Sequence, residues 1–74
     1  MAEKYASDAY RRRLKLALLE KHAGEPVTED LCGRMETEIA AMIAQDHPHV
    51  RPRIRIRPLG LTAISVTIRR SNGL

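Results

Sequence analysis

Arginine at every second position, Arg51, Arg53, Arg55 and Arg57, is the pattern in this 74-residue chain whose type and spacing could do chemistry. The chemistry is the binding of anions, phosphate or carboxylate. The intervening Val50, Pro52, Ile54 and Ile56 complete a period of two, the signature of a strand with one apolar face. On such a strand the four guanidinium groups share a side and stand roughly 6.8 Å apart. Arg69 falls on the same face of a following strand, and Arg70 lengthens the basic segment. Repulsion along the row costs stability unless a phosphate backbone or an acidic protein surface offsets it on binding. The plain alternative is a solvated face selected for solubility and against edge-to-edge aggregation. Binding is the preferred reading, because no acid interleaves the row.

The other reactive residue types form no recognisable site. Cys32, His22, His47 and His49 lack the paired spacing of a zinc site, so no metal is expected. Cys32 belongs to the first turn of a helix, where the dipole favours thiolate, but Glu29, Asp30 and Glu36 oppose it, and a buried core cysteine is the expectation. No nucleophile, base and orienting acid can be assembled, no glycine-rich phosphate loop is present, and Glu36 with Glu38 is most simply a helix surface. The sequence therefore predicts no catalytic residues, no cofactor and no small-molecule substrate, and a chain this short has little room for a substrate pocket.

The net charge of +4 is unevenly placed. Residues 1–49 carry seven Lys/Arg and nine Asp/Glu, a balance of −2, whereas residues 50–74 carry six arginines and no acid, a balance of +6. Tyr5 and Tyr10 are the only aromatic residues and neither lies in the basic segment. Surfaces that hold single-stranded nucleic acid stack bases on exposed rings, so that mode is disfavoured, while duplex backbone and acidic protein stay open. The basic run Arg11, Arg12, Arg13 and Lys15 is set among Glu3, Asp8 and Glu20 and reads as an ordinary solvated helix face.

Three elements must position these residues. A first helix is predicted over 7–23, capped by Ser7 and ended at Gly24 before Glu25-Pro26. Tyr10, Leu14, Ala17 and Leu18 make one apolar stripe, and Leu16, Leu19 and Ala23 a second, nearly opposite. The second stripe is either sandwiched within the fold or a subunit interface, which makes Leu16 and Leu19 candidate partner-binding residues beside Arg51, Arg53, Arg55, Arg57, Arg69 and Arg70. A second helix is predicted over 29–45, capped by Thr28, with Leu31, Met35, Ile39, Met42 and Ile43 inward and a face of small residues, Gly33, Ala40 and Ala44, open to close approach by another helix.

Strands over about 50–57 and 62–70 then form a hairpin. A three-residue loop with Gly60 in the left-handed conformation sets Ile54 against Ile64 and Arg53 beside Ser65. In that arrangement the odd residues exchange ladder hydrogen bonds, and Pro52 and Pro58 sit where no amide donor is needed. The expected fold is one α+β domain spanning 1–74, with two helices packed on a C-terminal antiparallel hairpin, ααββ. Its intrinsic stability is slight for its size, and a single cysteine cannot staple it. No apolar run reaches membrane-spanning length and residues 1–10 lack a signal-peptide core, so cytoplasmic synthesis without membrane contact is expected.

The order helix, Glu25-Pro26-Val27-Thr28, helix, then Arg51–Pro58 and Ile64–Ile68, resembles small structural modules of tailed-bacteriophage virions, the tail-sheath C-terminal regions and the compact neck or baseplate subunits. The resemblance covers about three quarters of the chain and rests on patterning; the arginine row is not part of it. It implies a virion protein that docks in many symmetric copies, through open strand edges or apolar helix stripes. Two functions are thus expected: a non-enzymatic assembly protein meeting itself or neighbouring subunits, or a sequence-indifferent nucleic-acid binder.

Overall fold

Helix α1 (Asp8–Lys21) starts where a serine hydroxyl can replace a missing helical partner: Ser7 has extended backbone and its Oγ accepts from the Tyr10 amide. This is a computed structural model, and it describes residues 7–69. Helix α2 (Glu29–Asp46) starts in the same way, with Thr28 Oγ1 accepting from the Leu31 amide and Glu29 and Asp30 in the first turn, where the helix dipole favours them. Strands β1 (Arg53–Pro58) and β2 (Ile64–Arg69) follow and pair antiparallel as a two-stranded sheet. The fold is a small α+β domain of ααββ order.

Gly24 is the one described residue that needs glycine's freedom, with φ of +89°. It turns the chain two residues after the α1 cap at His22, and the Glu25 amide closes the turn on the His22 carbonyl. The two helices run antiparallel. Near one end Tyr10 donates to Asp46 at 2.8 Å, and near the other His22 meets Glu38.

A single core joins all four elements: Leu14 and Leu18 from α1, Leu31, Cys32, Met35, Ile39 and Ile43 from α2, and Ile56, Ile64 and Ile68 from the hairpin. Even-numbered hairpin residues point into it and odd-numbered ones point away, as the period of two requires. The second stripe of α1 is not sandwiched. Leu19 is half-buried against the core, but Leu16 is 58% exposed and Ala23 is exposed. The small-residue face of α2, Gly33, Ala40 and Ala44, receives no helix and is exposed, because α1 packs along the Met42 side instead.

Both strands start later than the sequence suggests, and their register differs. Val50 closes a turn with its amide on the His47 carbonyl, so Arg51 and Pro52 precede β1. Ile54 pairs with Ile68, Ile56 with Val66 and Pro58 with Ile64, and the connection is the five-residue loop Leu59–Ala63, closed by the Leu59 amide on the Ala63 carbonyl at 2.9 Å. The tighter loop would have set Ile56 opposite Thr62; the observed register gives every inward residue an apolar partner. A longer loop also spreads the reversal, so Gly60 has no positive φ.

Candidate functional site

The register change rebuilds the basic face. Arg53 lies directly opposite Arg69, not Ser65, and Arg55 lies opposite Thr67. The Leu59–Ala63 bond places the odd residues at the hydrogen-bonded positions of the ladder, where facing Cα atoms are about 5.5 Å apart. Arg53, Arg55, Thr67 and Arg69 therefore line one concavity of about 570 Å³ on the outer face of the hairpin. Three guanidinium groups and a hydroxyl, donors all, converge there.

Nothing among the described residues neutralises them. Arg51, Arg53, Arg55, Arg57 and Arg69 are exposed, and none comes within 4.0 Å of a carboxylate of another described residue. Glu29 and Glu36 share a groove with Arg55 and Arg57 at the α2–β1 boundary without forming an ion pair with them. Like charges directly opposite on a sheet face destabilise it by up to about 1 kcal/mol. An anion seated between Arg53 and Arg69 removes that cost, and a pair of guanidinium forks suits carboxylate or phosphate oxygens. Arg70 lies outside the described residues.

Apolar side chains flank the arginines. Leu59 and Leu61, at the hairpin tip beyond Arg57, are 66% and 89% exposed. The basic residues of α1 also approach the hairpin: Arg11, Arg12 and Lys15 line a shallow groove with Asp8 and Val66 of β2. Asp8 is already engaged there by Arg11.

The acids of α2 do more than decorate a surface. Glu36 Oε2 accepts the Ile56 amide at 2.9 Å, closing part of the outer edge of β1. Glu38 Oε1 and Glu25 Oε2 each lie 2.8 Å from a ring nitrogen of His22, which is 8% exposed. Lys21 stands 3.5 Å from the second Glu38 oxygen and Arg34 3.5 Å from the second Glu25 oxygen. A neutral imidazole has one donor for two carboxylates; the imidazolium has two. Donating to Glu38 and then to Glu25 accordingly raises the His22 pKa above its ordinary value, against the opposing effect of burial, and the same bonds lower both glutamates. The spacing of His22 and Glu25 is visible in sequence, but Glu38 arrives from another helix.

Cys32 is buried, and burial first, then Glu36 and Glu29, push its thiol up, which makes it a poor nucleophile. The side chain of Tyr10 bonds Asp46 and packs edge-on to His47; burial and that bond push the phenol up to about 12. Among the described residues, no cluster of His, Cys, Asp and Glu could hold a metal ion, and no helix is long and apolar enough to cross a membrane. Searches against family models, curated proteins and solved structures give no match to the chain.

Proposed function

We propose that this protein works without catalysis, as an assembly protein that docks on neighbouring protein subunits through its hairpin and helices, with its arginine face against an acidic surface. The observation that carries the reading is the facing pair Arg53 and Arg69 with Arg55 beside them, exposed and without a carboxylate partner among the described residues. A fold gains nothing internally from that arrangement. A partner supplying carboxylates gains charge-assisted hydrogen bonds on binding. Protein is favoured over nucleic acid because exposed leucines, Leu59 and Leu61 at the tip and Leu16 on α1, accompany the charge, and they suit a mixed protein surface better than a phosphate chain. The virion is the setting that the sequence resemblance suggests, and phage neck, sheath or baseplate proteins are the neighbours to try first.

Sequence-indifferent binding of duplex DNA is the second reading, favoured by the same concavity, since phosphates also fit guanidinium forks. Light-scattering mass after size exclusion, over a wide concentration range and with and without duplex DNA, separates the two. We expect multimers, or a protein complex recovered from the source, and a mass that DNA leaves unchanged. A chain that stays monomeric at every concentration and enters no isolable protein assembly overturns the first reading. A DNA complex whose affinity falls steeply with salt puts the second in its place.

A further inference from the structure

The two outer edges of the hairpin are unlike. Because odd residues exchange the ladder hydrogen bonds, the backbone groups of even residues point outward. On the β1 side those residues are Ile54, Ile56 and Pro58. Pro58 has no amide hydrogen, and Ile56 has given its own to Glu36. On the β2 side they are Ile64, Val66 and Ile68, all with donor and acceptor, and no other described residue hydrogen-bonds to those outward groups. An added strand thus finds a complete ladder on one edge only.

Charge decides what that strand must be. Val66 shares its groove with Arg11, Arg12 and Lys15 of α1, and the one acid there, Asp8, is held by Arg11. On the other face the neighbours are Thr67 and Arg69 of the arginine concavity. A strand laid along β2 sends alternate side chains to these two basic surroundings. A second copy of β2 would bring the same cations together, and a phosphate chain has no alternating donors and acceptors to offer.

We propose that the outer edge of β2 binds an extended acidic segment of a partner protein, which adds to the hairpin as a third strand. The inference rests on the docking function above and names the element that docks. About five residues of partner span the three open positions.

The test uses the whole chain and a short peptide alternating glutamate and valine, followed by amide hydrogen exchange in NMR. In the free protein the Val66 and Ile68 amides exchange faster than the ladder amides of Arg55 and Thr67. The peptide slows Val66 and Ile68 on the order of tenfold, as expected for newly made hydrogen bonds; a lysine–valine peptide and a short DNA duplex do not. Val66→Pro deletes an outward donor while sparing the ladder and weakens the peptide about fivefold, the equivalent of one net hydrogen bond. If that variant does not fold, Arg12→Glu with Lys15→Glu, both on the α1 surface, carries the same expectation of weaker binding. Failure of the acidic peptide to bind, equal binding of the lysine peptide, or protection of Val66 by DNA overturns the proposal. So does acidic-peptide binding that leaves Val66 and Ile68 unprotected; if Arg53→Ala and Arg69→Ala abolish that binding, the docking function survives and only the edge is wrong.

Discussion

His22 shows how much one side chain can tie together when both of its nitrogens find an acid. Its ring joins the end of α1, the following turn at Glu25 and the middle of α2 at Glu38, in a chain with no disulfide to do so. The folded state holds the His22 proton to higher pH than the unfolded chain does. Its contribution to stability is therefore full below the ordinary 6.5 and drains away as pH rises through the raised value. Glu25 and Glu38, being lowered, contribute above the ordinary 4.5 and are lost as pH falls through their depressed values. The melting temperature is expected to be highest between those limits and to decline on the alkaline side, and His22→Asn should lower the maximum and flatten the alkaline limb. Thermal melts across pH check this, and an alkaline limb unchanged in the variant would show that His22 is not its source. Sequence reading weighed His22 only as a zinc ligand beside Cys32, His47 and His49, and set it aside for lack of paired spacing. The acid that completes the pair is sixteen residues away, and nothing in local periodicity points to it.

At the scale of the element, the caps and faces were legible and the pairing was not. Ser7 and Thr28 announce both helices, and the strict alternation of arginine with Ile54 and Ile56 assigns inside and outside correctly, because a period of two survives any even change of register. The loop length does not survive it. Pro58 and Gly60 admit a tight turn, and only the demand that Ile56 meet Val66 and Ile64 meet Pro58 selects the longer one. Glu36 was legible as a helix residue but not as the acceptor for the Ile56 amide, since that bond depends on how α2 lies along β1. Glu36→Ala is expected to cost about 1–2 kcal/mol in urea unfolding, the loss of a hydrogen bond to a charged acceptor. Glu36→Gln, which keeps an acceptor oxygen, should cost less. Equal losses in the two variants would mean that the Ile56 bond contributes nothing.

For the whole molecule, the decisive quantity is the placement of charge, not its sum. The +4 of the chain would be unremarked if the thirteen cations were mixed with the nine acids. Instead several acids of the helical half serve nearby cations and the backbone, as in Lys21–Glu38, Arg34–Glu25 and Glu36–Ile56, and among the described residues none forms an ion pair with a hairpin arginine. The molecule therefore holds its basic face against its own stability, and a substitution that relieves the repulsion should stabilise the chain and, on the proposed function, weaken docking. Arg69→Thr is the most direct case, because it dissolves the facing pair with Arg53 on an exposed strand position and threonine suits a strand. A gain of up to about 1 kcal/mol is expected at low salt, shrinking as salt screens the pair it replaces. The same variant should bind an acidic partner less tightly, with the loss concentrated at low salt. Urea unfolding of the variant and the parent at two salt concentrations measures the first effect. A destabilised Arg69→Thr would mean that the face is held by interactions other than like-charge repulsion, and the case for an absent anionic partner would lose its energetic basis.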